Sequence, residues 1–130
     1  LGGVALWIAI TGVVYQLLLA ATDSQTTVIG WWANIGVHTA VPLAAFAWWL
    51  AFAPRRGLSV TAAALWMLWP TVYVCYALAR GQMDGIYPYF FTDPNKVGWS
   101  GVVTWIVILA TAFFVAGLAQ IALARIIRHR

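Results

Sequence analysis

The stretch Gly30–Ala53 contains no Asp, Glu, Lys or Arg, and this run decides the solvent in which the chain must fold. It reads as a membrane-spanning helix. Within it stands one histidine. At about 1.5 Å rise per residue, His38 lies roughly 12 Å from the Gly30 end. A bilayer core about 30 Å thick therefore holds the imidazole below the interface and short of the midplane. Asn34, His38 and Pro42 are spaced i, i+4, i+8 and share one helix face. An ionisable group at that depth is costly and is expected to turn toward protein or a wet cavity, not toward lipid. A packing histidine hydrogen-bonded to a neighbouring helix is the plainer alternative.

The rest of the composition agrees. Hydrophobic residues make up 64% of the 130 residues and charged ones 8%, with a mean hydropathy of +0.88. A soluble domain carries about 25% charged residues, so this is an integral membrane protein. The expected architecture is all-α: a polytopic membrane helix bundle, one transmembrane domain over residues 1–130. Four transmembrane helices are predicted, at about 2–21, 30–53, 58–79 and 99–123. The first is too long for a signal-peptide core and has no basic flank in view. The chain opens at Leu1 almost inside this run, so it is expected to be the carboxy-terminal part of a longer bundle. Cys75 stands alone, which leaves no disulfide framework and no Cys-type metal site.

Charge sets the expected orientation. Arg55, Arg56, Arg125, Arg128 and Arg130 fall on one side, against Arg80 and Lys96 diluted by Asp23, Asp84 and Asp93 on the other. The first side reads as cytoplasmic, so both termini of this segment face the cytoplasm and His38 lies in the outer half. The net charge of +4 is spent on orienting helices and gives no nucleic-acid signal.

Between the runs, Thr22–Ile29 reads as a polar loop. Trp31 and Trp32 follow it, where an interfacial aromatic belt is expected. Pro42 is expected to bend the second span and release a carbonyl near His38. In the third span Trp69, Tyr73, Tyr76 and Arg80 follow a 3-4 spacing, an aromatic face ending in a cation. Packing is the plain reading of that stripe, and Arg80 makes it a candidate polar-headed pocket. Gly81–Gly98, punctuated by Gly85, Pro88 and Pro94, reads as a structured loop and not a helix. Its aromatic centre, Tyr87 to Phe91, is expected to fold back on the bundle or dip into the interface.

Few chemistries suit these polar residues. Haem needs facing ligands, and His38 and His129 lie at opposite levels, which leaves only a His38 pair across a homodimer. No Asp, Glu or Cys clusters near His38 to hold a metal. An ion pathway would show several intramembrane ionisable groups. A histidine acting as general base, alone or with a hydroxyl nucleophile, is what remains. Thr39 points about 100° away around the helix. Thr11, which shares a face with Tyr15, is conceivable as a partner, although interhelical or back-bonded hydroxyls are the plainer reading of both.

The pattern Asn34-x-x-x-His38-Thr39 with Pro42, then Trp69-Pro70-x-x-Tyr73, then Gly81 and Tyr87-Pro88-Tyr89-Phe90, resembles the androgen-induced protein family of membrane proteins. That family has bacterial members and animal members such as the androgen-dependent TFPI-regulating protein. The resemblance spans roughly residues 4–120. It implies a threonine/histidine-type hydrolase of fatty acid esters of hydroxy fatty acids, with His38 matching the catalytic histidine. The family's nucleophilic threonine lies in a helix upstream of the one that Gly2–Ala21 resembles, so that N-terminal helix of the parent is an expected partner. Asn34, Tyr73, Tyr76, Arg80, Tyr87 and Tyr89 are the expected substrate-binding residues, and the Tyr73–Arg80 face and the Tyr87–Phe91 loop are expected to cover His38. Partners are membrane lipids and a lipid-ester substrate, with no cofactor and no metal called for. The alternative is a non-enzymatic bundle that binds a lipid or a partner helix, with His38 structural.

Overall fold

Four apolar runs become four helices in the computed structural model, which describes residues 1–54 and 57–128. They are α1 (Gly2–Leu19), α2 (Val28–Phe52), α3 (Val60–Asp84) and α4 (Pro94–Arg128). Each is long and apolar enough to cross a membrane, and the described residues contain no strand. Large apolar side chains stand exposed along every helix, among them Leu17, Leu43, Phe52, Val72 and Val115. Faces of this kind invite aggregation in water and are simply solvated in lipid. The fold is that of a membrane protein. Arg55, Arg56, His129 and Arg130, which carry much of the expected orientation, lie outside the described residues.

Contacts divide the chain into two units, Leu1–Gly57 with Ala124–Arg130, and Leu58–Leu123. In the first, α1 packs along α2 through small residues. Gly3, Ala5, Leu6, Ile10 and Gly12 are buried on α1, with Pro42 and Trp49 on α2. At Gly12 a Cβ would stand 2.8 Å from Cβ and Cγ of Pro42 and 3.1 Å from the His38 carbonyl oxygen. Only glycine permits this approach, the usual device for bringing helices together in lipid. In a regular helix the Pro42 ring would press on that same carbonyl, four residues back. The helix widens instead. Gly36–Ala40 forms a π turn, closed by the Val41 N–H donated to Gly36 O. A second π turn, Tyr15–Leu19, widens α1, with the Ala20 N–H donated to Tyr15 O at 2.8 Å.

Helix α2 starts at Val28, two residues before the predicted Gly30, because the Thr27 hydroxyl caps it by accepting the Gly30 N–H at 3.0 Å.

In the second unit Pro70 interrupts α3 at Met67, where the Met67 N–H bonds Ala64 O in a tightened turn. The helix then runs to Asp84, beyond the predicted end at 79. The reading of Gly81–Gly98 as a loop and not a helix is corrected there. Gly81 lies inside the helix, its missing side chain leaving room for the Tyr87 ring. The stop is Gly85, at φ 74° in the left-handed region that glycine tolerates. A 3₁₀ turn, Phe90–Thr92, follows, and Pro94 opens α4 with Asp93 accepting the Asn95 N–H. Gly98, at φ 69° and ψ 164°, breaks that first turn, so the long apolar run does begin at Trp99. The loop folds back onto its own unit, as its aromatic centre predicts. Phe91 is buried, and Phe90 and Phe91 pack on Trp105 at 5.7 and 5.8 Å.

Candidate functional site

The two π turns of the first unit touch each other, and His38 sits in one of them. Its ring stacks on Tyr15 with centroids 3.8 Å apart and planes 8° from parallel. Beside this pair Gln16 donates its Nε2 to the Thr39 hydroxyl at 2.9 Å. Single π turns inside α-helices recur at functional sites because they re-aim side chains that a regular helix would line up elsewhere.

Five side chains form one network. His38 Nδ1 and Asn34 Oδ1 are 3.2 Å apart. The Asn34 amide donates to the Tyr15 hydroxyl and to Asp23 Oδ2, both at 2.6 Å. Tyr15 donates its hydroxyl to the same Asp23 oxygen at 2.7 Å, and Gln25 donates to Asp23 Oδ1 at 2.8 Å. The order of these bonds has a consequence. A carboxylate only accepts, so the end of Asn34 that meets Asp23 must be its NH₂. Asn34 therefore presents its carbonyl oxygen to His38, and Nδ1 must carry the proton. In the neutral ring Nε2 then carries the lone pair. The network fixes the tautomer that a general base needs.

Two of these partners were not singled out by the sequence. Asp23 stood in a loop, with no periodicity to tie it to a helix. Tyr15 stands out in the sequence only for its spacing from Thr11. The hydroxyl of Thr11 is exposed and donates back to Trp7 O at 2.8 Å, as the plainer reading has it. Tyr15 makes the interhelical bond instead.

The other expected site residues lie in the second unit. Tyr73, Tyr76 and Arg80, with Ala77, Ile86 and Pro88, line a cleft of about 120 Å³. Arg80 donates its Nε–H to Asp84 Oδ2 at 2.9 Å. Tyr73 and Tyr89 meet hydroxyl to hydroxyl at 3.4 Å, and Gln82 holds the Tyr87 hydroxyl at 2.8 Å. Burial among these rings, and secondarily the bond from Tyr73, push the Tyr89 phenol well above its ordinary pKa. So Asn34 bonds His38 within the first unit, and Tyr73, Tyr76, Arg80, Tyr87 and Tyr89 belong to the second. Among the described residues no three His, Cys, Asp or Glu side chains gather to hold a metal.

No protein family, curated protein or solved structure matches the chain. Fold and site together define a class: a membrane protein with four helices long and apolar enough to span, one of which carries a histidine held by an Asn–Asp–Tyr network.

Proposed function

We propose that the protein is a membrane-embedded lipid-ester hydrolase of the threonine/histidine type, with His38 as general base. The observation that carries this reading is the chain of bonds from Asp23 through Asn34 to His38 Nδ1, which leaves Nε2 as the acceptor. In the reaction a threonine hydroxyl attacks the ester carbonyl while Nε2 takes its proton. The same proton then passes to the departing hydroxy fatty acid, and water releases the acyl group by the reverse use of the base. On the resemblance to the androgen-induced protein family, that threonine is expected upstream of residues 1–130. The charge distribution supports cytoplasmic termini and an outer-leaflet entrance for the substrate.

Membranes bearing the full-length parent are assayed with a fatty acid ester of a hydroxy fatty acid. His38→Ala is expected to lower hydrolysis by about 10²–10⁴-fold while leaving insertion intact. Hydrolysis that survives His38→Ala, or a wild-type protein that cleaves no lipid ester, overturns the reading. The non-enzymatic bundle then stands, and His38→Ala costs only its bond to Asn34 and its stacking on Tyr15, about 1–2 kcal/mol.

A further inference from the structure

We propose that the cleft at the end of α3 seats the phosphodiester of a bilayer phospholipid, independently of any reaction at His38. The cleft is preformed. Tyr73, Tyr76, Ala77 and Arg80 supply its helical wall, and Ile86 and Pro88 the opposite one. That second wall is fixed by three contacts: Ile86 N–H donated to Asp84, Tyr87 hydroxyl held by Gln82, and the Tyr87 ring seated on Gly81. At about 120 Å³ it is smaller than the roughly 300–1,000 Å³ of a site that encloses a whole ligand. It takes a group and not a molecule.

The lining names the group. Asp84 engages only Nε of Arg80, which leaves the terminal nitrogens as donors for Tyr76 and for an occupant. A planar guanidinium with nearby phenols matches phosphate oxygens. The cation stands near the end of a spanning helix, which is where headgroup phosphates lie.

Charge decides between a lipid and a free anion. Asp84 cancels the Arg80 charge, and the carboxyl end of a helix adds partial negative charge. The cleft therefore has no net field to draw a phosphate ion from water. A phosphodiester delivered by its own acyl chains needs no such field, because the bilayer presents it at high effective concentration. The exposed apolar side chains of Val72 and Leu68 on the same helix offer those chains a surface. With no positive field at the cleft, an anionic headgroup gains nothing over a zwitterionic one.

The test uses the delipidated full-length protein in detergent, given one lipid at a time and weighed by native mass spectrometry. Phosphatidylcholine and phosphatidylglycerol should each be retained, phosphatidylcholine at least as well as phosphatidylglycerol. Diacylglycerol with the same chains should be retained about tenfold less, and Arg80→Gln should lose about the same factor for both phospholipids. Tyr76→Leu should weaken both in the same direction, and it decides the matter if Arg80→Gln does not fold. Equal retention of diacylglycerol, or no loss in either variant, overturns the proposal in favour of apolar coating. Displacement of the lipid by millimolar inorganic phosphate overturns it in favour of a phosphate-ion site.

Discussion

In the first unit Tyr15, Asp23, Asn34 and His38 are bonded to one another, whereas the side chains along the cleft in the second leave a cation with donors to spare. Asn34 uses both ends of its amide, Tyr15 both donates and accepts, and Asp23 takes three bonds. Arg80 gives one bond to Asp84 from a side chain that is 57% exposed. The prolines differ in the same sense. Pro42 is buried against Gly12 and accommodated by widening α2, while Pro70 is accommodated by tightening α3 at Met67. A saturated network between closely approaching helices specifies one geometry, which suits a base that must present a single tautomer. An exposed cation beside aromatic walls specifies a contact with the membrane environment. One arrangement points to chemistry, the other to a surface.

The sharpest way to break this contrast is to push the first two helices apart. Gly12→Ala places a methyl group 2.8 Å from the Pro42 ring, which cannot swing aside. Overpacking of this kind costs about 1–3 kcal/mol. Unfolding in bicelles should show a loss of that size, together with weakened Tyr15–His38 stacking. Gly36→Ala is the control, because a Cβ there meets nothing within 4 Å. If Gly12→Ala is as harmless as the control, the close approach does not hold the site together.

The second test removes the centre of the network and leaves the helices packed. Asn34→Ala deletes two donated bonds and one accepted from His38. Side-chain bonds in a membrane bundle average about 0.6 kcal/mol each, so these three, of which the bond to Tyr15 joins two helices, should together cost about 1–2 kcal/mol. Nitrogen-15 spectra of the His38 ring should report a protonated Nδ1 in the wild type and a mixture of tautomers in the variant. An unchanged tautomer would mean that Asn34 does not set it. In the hydrolase assay Asn34→Ala should lower turnover less than His38→Ala, since it misplaces the base without removing it.

What the sequence revealed and what it hid follow a physical line between local and distant. The four spans are legible because each is a continuous property of its own residues. The Asn34–His38 pair is legible too, since i, i+4 neighbours meet on any helix. Tyr15 and Asp23 are not, because their meeting with Asn34 depends on how α1 approaches α2 and where its following loop returns. The π turns are equally hidden: Pro42 signals trouble near His38 but does not say whether the helix bends, tightens or widens. Gly81 misled for the opposite reason. It reads as a break, yet it is a helical position emptied for the Tyr87 ring, and the real stop is Gly85. Placing the break early also hid the Arg80–Asp84 pair, which exists only because the helix continues.

The smallest expected effect concerns Tyr89, and it asks whether the second unit is as loosely tied as its exposed cation suggests. The phenol lies in the loop between α3 and α4, stacked on Phe91 at 5.0 Å and receiving the Tyr73 hydroxyl. Burial, with the Tyr73 bond second, raises its pKa above the ordinary value. A raised phenol favours the fold in its neutral form. That contribution is fully present below about pH 10 and is lost as pH climbs through the raised value. Alkaline titration followed by phenolate absorbance should therefore show a late step to which Tyr89 contributes, and Tyr89→Phe should reduce that step by one tyrosine. Tyr73→Phe should bring the step to lower pH by a smaller amount, since burial is the larger cause. Stability of the second unit should be flat up to the ordinary tyrosine range and fall beyond it. A Tyr89 that titrates with the exposed phenols would mean the loop opens freely in solution, and the cleft wall formed by Ile86 and Pro88 would not be preformed.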